Sequence, residues 1–260
     1  MRPIVARLAG RLLFNVSYAA LLLIAWEVLV RVFNVADYLL PRPSDVLRVL
    51  AAQSGLLSRH AVTTLVEIMT GFAIGSALGA ALAVTIHLVE PLRRTLLPLL
   101  VALQSVPKVA LAPLIIVWFG IGLSAKIIMV TFFCFFPVLM NMLGGLSRIE
   151  PTVLDLMGVL RARRWQTFRK VELPNALPAL FDGLKIALPV AVIGAIVAEF
   201  TSAERGLGHL ILVASNQIQT DMTFAALIVL TFMALLLFTA IALLERVSVP
   251  WSTAYRKGER

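Results

Sequence analysis

The chain has 260 residues, of which 60% are hydrophobic and only 14% charged, and its mean hydropathy is +0.94. An average soluble domain is about 45–50% apolar and about 25% charged, so a water-soluble core-and-shell protein and a disordered chain are both excluded. Cys134 is the only cysteine, which excludes a secreted disulfide scaffold. The formal net charge of +9 would suggest nucleic acid in a soluble protein. In so apolar a chain it is first explained by cationic loops held on the cytoplasmic side of a membrane. Composition therefore points to a polytopic membrane protein.

A bilayer core about 30 Å thick needs about 20 mostly apolar residues in helical form. Six stretches meet that length: about Val16 to Phe33, Thr64 to Val89, Leu96 to Phe119, Leu123 to Leu146, Ala179 to Thr201, and Met222 to Leu244. Strand-barrel alternation is absent, so the expected fold is all-α, one transmembrane domain over 1–260. Arg2, Arg7 and Arg11 precede the first apolar run, but no small-residue cleavage site closes it. We read it as an uncleaved helix.

Lysines and arginines fall unevenly between the two sides. One side takes Arg2, Arg7, Arg11, Arg93, Arg94, the six from Arg148 to Lys170, and Arg246, Arg256, Lys257 and Arg260. The other takes Arg31, Arg42, Arg48, Arg59, Lys126 and Arg205, while Lys108 and Lys185 lie within spans. The positive-inside rule puts both termini in the cytoplasm.

Three features interrupt ordinary spans. Gly71, Gly75 and Gly79 recur every four residues, with Ala83 continuing the stripe, so another backbone can approach that face closely. Pro98, Pro107 and Pro113 break the third span, and each removes a donor. Ser202 to Asp221 is too polar to span and reads as a loop and short helix on the outer face.

Ionisable residues inside spans are costly and are functional candidates by default. Lys108 follows Pro107 beside Gln104 and Ser105, so these three, with Glu199, are candidates for lining a polar path, through which any substrate would pass. Asp182 and Lys185 are spaced to pair, Glu245 is placed to snorkel where the last helix leaves the membrane, and Glu67 lies in the second span. His60, His87 and His209 lack metal-ligand spacing, so no metal site is expected.

Between the fourth and fifth spans lies SRIEPTVLDLMGVLRARRWQTFRKVELPNALP, residues 147–178, on the cytoplasmic side by charge. Pro151 suits the first position of a helix. Val153, Leu154, Met157, Leu160 and later Trp165 form an apolar stripe on a cationic helix that Pro174 and Pro178 should stop. Such a helix either lies on lipid headgroups or docks on another protein.

This segment resembles the cytoplasmic signature of ABC importer permeases of the nitrate, sulfonate, taurine and pyrimidine-precursor type, which reads E-A-A, three residues, G, nine residues, I-x-L-P. Here it is Asp155-Leu156-Met157, then Gly158 to Leu160, Arg161, nine residues, and Val171-Glu172-Leu173-Pro174. Trp26-Glu27, LPRPSDV at Leu40 to Val46, QSVPKVALAPLIIVWFGIG and AEFTSAERGLG extend the likeness over nearly the whole chain. The family's glycine would permit positive φ after the helix. Arg161 in its place leads us to expect a different turn or a continued helix.

The resemblance implies a coupling helix that sits in a groove of a partner ATPase, with Asp155, Leu156, Met157, Gly158, Leu160, Arg161, Leu173 and Pro174 as its coupling residues. It also implies a permease homodimer in the bacterial inner membrane, with two ATP-binding subunits and an extracytoplasmic solute-binding protein. Sulfonates, nitrate or similar anions, and pyrimidine-type precursors are the implied solutes.

The residues agree that this chain does not hydrolyse ATP. Its five lysines follow Pro107, Ala125, Arg169, Leu184 and Arg256, so the Gly-Lys of a phosphate-binding loop is missing. No cofactor or nucleic-acid partner is expected. An ion-coupled transporter or channel would favour paired broken helices in two inverted halves, and a membrane enzyme would need a nucleophile or metal cluster; neither pattern is visible.

Overall fold

A computed structural model describes residues 17–18, 20–202 and 204–251, and all regular structure among them is helical. In chain order these are α1 (residues 20–32), α2 (Pro43–Ala52), α3 (Ser54–Leu88), α4 (Glu90–Gln104), a 3₁₀ turn (Lys108–Leu111), α5 (Ala112–Phe119) and α6 (Leu123–Ser147). Next come α7 (Pro151–Val159), α8 (Arg164–Thr167), a π turn (Phe168–Glu172), α9 (Leu173–Ser202), α10 (Leu207–Asn216) and α11 (Thr220–Ser248).

Among the described residues four helices, α3, α6, α9 with the turn before it, and α11, are long and apolar enough to cross a bilayer. They correspond to the second, fourth, fifth and sixth predicted spans, although α3 starts ten residues early, at Ser54. The third span is broken, as expected, but at one of the three prolines only: α4 and the Lys108–Phe119 segment meet at 89°, as a broken span or re-entrant loop. The bend falls at Ser105-Val106-Pro107. Pro98 is carried inside α4 and Pro113 stands at the start of α5, where a missing N–H costs nothing. Gly120 ends α5 at φ +79°, a conformation a β-carbon disfavours. The first predicted span is helical through residue 32, and its start lies outside the described residues, as do Arg2, Arg7, Arg11 and the tail cations from Arg256 on.

The chain divides into two compact units. In the first (Met1–His60 with Leu210–Val229), the Trp26-Glu27 pair meets the LPRPSDV segment. Arg42 precedes α2 without a side-chain cap, and Glu27 of α1 supplies one instead. Its carboxylate accepts from Ser44 N (3.1 Å) and Ser44 Oγ (2.9 Å) while pairing with Arg31 at 2.6 Å. An anion at a helix N-terminus is stabilised by the unsatisfied amides there. Trp26 packs on Phe224 with ring centroids 5.7 Å apart, and Thr220 Oγ1 donates to Tyr38 O at 2.8 Å.

In the second unit (Ala61–His209 with Leu230–Arg260), α6 packs between α3 and α9 through small residues. A Cβ at Gly71 would stand 2.5 Å from Val130 Cβ, one at Gly75 would stand 2.7 Å from Thr131 O, and one at Gly79 would stand 2.6 Å from Phe135 O. On α9, Gly183 and Gly194 take the backbone and side chains of α6 in the same way, and Ala187, Ala191, Ala195 and Ala198 are buried. Lipid tails are as apolar as leucine, so close backbone approach is what holds such helices together.

Candidate functional site

The segment from Ser147 to Pro178 folds as short helices. Glu150, extended, precedes α7, and Pro151 opens it as expected. The helix closes at Leu160 with two bonds: Arg161 N donates to Gly158 O at 2.9 Å, and Ala162 N to Met157 O at 3.0 Å. This is the Schellman pattern, whose penultimate position needs a left-handed residue. Arg161 supplies it at φ +51°. The expectation that arginine would alter the turn is therefore corrected: the residue bears the strain and the turn stays.

The proline stop is corrected too. α7 ends at Val159, before either proline, so Trp165 does not share its stripe. Pro174 lies in the first turn of α9 and Pro178 inside it. The π turn before them, where Leu173 N bonds to Phe168 O, widens the helix just ahead of Pro174.

α7 presents apolar side chains to the outside. Leu154, Leu156, Val159 and Leu160 are exposed, Leu160 by 65% and Val159 by 80%, and Asp155 and Gly158 are exposed beside them. Met157 is half-buried. The stretch from Arg164 to Glu172, by contrast, is tied down firmly. Phe168 is buried and stacks on Trp165 at 5.4 Å. His87 Nε2 meets Glu172 Oε2 at 2.9 Å, and Arg164 Nη2 donates to Leu88 O at 2.9 Å. A cation on the last carbonyls of α3 also opposes the negative end of its dipole. The loop is thus fastened to the end of the glycine-striped helix. The pairing of His87 with Glu172 and of Arg164 with Leu88 escaped the sequence reading because these partners are 85 and 76 residues apart along the chain.

The candidate path residues do not form one set. Gln104 and Lys108 line a hollow of about 40 Å³ with Leu100, Leu103, Phe132, Phe135 and Phe136, and Lys108 Nζ lies 5.9 Å from the Phe133 ring centre. Ser105 is exposed at the bend. Glu199 lies elsewhere, 1% exposed, where it accepts from Thr64 Oγ1 at 2.6 Å and from Gly208 N. Leu207 N donates to the same threonine at 2.8 Å, so Thr64 and Glu199 together satisfy the first amides of α10. Gly206, at φ +130°, has no room for a side chain against the Glu199 carboxylate.

Two more charges are placed differently from expectation. Lys126, counted as an outer loop cation, is buried in the first turn of α6, with Nζ 2.7 Å from Glu67 Oε1 and 3.3 Å from Arg205 O. Glu245 does not snorkel: Lys185 bridges it at 2.8 Å and Asp182 at 3.0 Å. Removing one partner from a buried pair strands the other, so these bonds fix α3 to α6 and α9 to α11. Among the described residues no group of His, Cys, Asp or Glu has metal-binding geometry.

Residues 71–253 match the family model described as the binding-protein-dependent transport system inner membrane component. The chain is 36% identical over 236 residues to a riboflavin transport system permease protein of Chloroflexus aurantiacus, covering 90% of this chain and 88% of that protein. It is 34% identical over 232 residues to a formylaminopyrimidine transport permease protein of Halalkalibacterium halodurans, covering 89% and 92%. In fold it is similar to a chain of the inward-facing MetNI methionine ABC transporter, with a TM-score of 0.56 and 22% identity over 73% of this chain and 98% of that one. A multi-pass helical chain with this signature loop belongs to the binding-protein-dependent transport system inner membrane component family, the permease subunits of ABC importers.

Proposed function

We propose that α7 is the coupling helix of this permease and that its exposed Leu154, Leu156, Val159 and Leu160 enter a groove on a partner ATPase, with Asp155, Met157, Gly158 and Arg161 shaping the contact. The observation that carries this reading is an apolar helix left uncovered in an otherwise cationic loop, anchored through Arg164 and Glu172 to the end of α3. Movement of the ATPase as it closes on ATP is then passed through that anchor to the spans, with Leu173 and Pro174 beginning the fifth. Both termini and residues 147–178 face the cytoplasm, and the chain works as one permease domain in a homodimer with two ATP-binding subunits and an external solute-binding protein. The chain itself holds no cofactor and performs no catalysis.

For the solute we propose a small polar molecule, either an anion such as a sulfonate or nitrate, or a pyrimidine-type precursor. Two relatives named for riboflavin and formylaminopyrimidine transport support the heterocyclic class. Gln104, Ser105 and Lys108 at the bend of the broken span are the polar groups we assign to the path, and Glu199 we assign to holding α10.

Leu156→Asp tests the coupling role. A carboxylate placed in an apolar groove without a partner costs several kcal/mol. Insertion should be unchanged, because it depends on the spans. The ATPase should wash off the purified complex, and hydrolysis should no longer respond to loaded binding protein. If retention and stimulated hydrolysis both match the unmodified complex, α7 is an interfacial helix on lipid and the coupling role fails.

A further inference from the structure

Three apolar helices of the second unit terminate around one hollow. α6 ends at Ser147 with Arg148 next, α9 opens with Leu173-Pro174-Asn175, and Trp251 stands three residues beyond the end of α11. The hollow measures about 590 Å³ and opens to the outside. Arg148 and Lys170 line it, and neither has an ion-pair partner among the described residues. Asn175 Nδ2 donates to Arg148 O at 3.3 Å, Glu150 is the single carboxylate on the wall among the described residues, and Val171 and Pro174 supply apolar surface. The balance is one net positive charge over a partly greasy floor.

Its position decides what such a site meets. The shared end of three spans is the boundary between hydrocarbon and water, where headgroups lie and where tryptophan rings gather. Trp251 is 48% exposed there. Directly along the same helix run Leu243, Leu244 and Val247, the last 81% exposed, a face that water would not tolerate and acyl chains would cover. A cationic hollow continuous with an apolar helix face fits an amphiphile with an anionic head. Arginine adds bidentate recognition of a phosphodiester, and basic pockets between spans suit acidic headgroups.

We propose that this hollow binds the headgroup of an anionic phospholipid, with its phosphate at Arg148 and Lys170 and its chains along residues 243–247 of α11. Val153 of α7 and Lys170 and Val171 of the π turn belong to the same wall. An occupying headgroup therefore braces the signature segment against the end of α6, and lipid composition sets how firmly that segment is held. The site stands on the three helix ends and does not depend on the reading of α7 as an ATPase contact.

The test uses the full chain in nanodiscs, with spin-labelled phosphatidylglycerol as the probe against phosphatidylcholine. Each basic residue near a surface contributes about 1 kcal/mol toward an acidic headgroup, so Arg148→Gln with Lys170→Gln should lower the preference for phosphatidylglycerol about tenfold or more. Arg93→Gln with Arg94→Gln removes the same charge from the N-terminal end of α4 and should leave the preference close to that of the unmodified chain. Brominated phosphatidylglycerol should quench a fluorescence component that Trp251→Phe abolishes. Equal loss in the two double variants would reduce the effect to general surface attraction and overturn the site. Release of the labelled lipid by inorganic phosphate would make it a site for free phosphate and also overturn it. If the first double variant keeps its lipid preference but no longer retains the ATPase, the hollow belongs to that protein interface and the lipid proposal falls.

Discussion

Arg161 shows how one residue can hold a turn that its own chemistry disfavours. A left-handed conformation costs an ordinary L-residue about 1–2 kcal/mol, and glycine nothing comparable. The two Schellman bonds and the anchoring of Arg164 on Leu88 O outweigh that cost. Arg161→Gly should therefore stabilise the end of α7 by about 1 kcal/mol, seen as roughly fivefold slower hydrogen exchange at the amides of residues 161 and 162. Unchanged or faster exchange would mean that the strain is not being borne there. Glu199 makes the complementary point. Its side chain is in the membrane-spanning region, where a carboxylate is read first as part of a path, yet its oxygens are taken up by Thr64 and the start of α10.

At the scale of elements, the glycine stripe and the broken span do most to position the rest. Gly75 stands against the α6 backbone, whereas Ala73 is exposed on the opposite side of α3. Adding a bulky group at Gly75 must push apart two helices whose attraction depends on close approach. Gly75→Leu should cut the yield of folded permease severalfold, while Ala73→Leu, pointing away, should stay within about 0.5 kcal/mol of the unmodified chain. Size-exclusion recovery after mild heating measures both, and equal recovery would remove the stripe from the packing face. The right-angle bend at Pro107 has a related cause. Proline disfavours helical geometry in the residue before it, so Val106 leaves the helix and the chain re-enters as a 3₁₀ turn beginning at Lys108. That places Gln104 and Lys108 on either side of a corner, facing one small hollow.

For the molecule as a whole, the decisive property is orientation in the bilayer. Lys126, as a buried partner of Glu67, takes one cation off the less basic side, so the asymmetry of loop charges is sharper than a count along the sequence makes it. Cys134 is the only cysteine and is fully buried, so a Cys134→Ser background carrying Gln166→Cys offers one exposed thiol in the signature segment. An impermeant maleimide should leave it unmodified in intact cells and label it in inverted vesicles. Labelling in intact cells would reverse the topology and, with it, the side from which any ATPase could reach α7.

Much of this was legible in the chain alone. Apolar stretches of bilayer length can only be helices, because hydrocarbon offers no partner for backbone amides. Four of the six predicted spans accordingly lie where α3, α6, α9 and α11 do. The spacing of Asp155 to Pro174 carried the family, and the four-residue glycine period marked the close-packed face of α3. Tertiary structure decided what depends on partners remote in the chain. Glu67 and Lys126 are 59 residues apart, His87 and Glu172 are 85, and Thr64 and Glu199 are 135. No local rule separates a charge that will be buried against such a partner from one left in a loop or a path. Desolvation makes the pairing compulsory, and only the packing of the helices determines which groups arrive together.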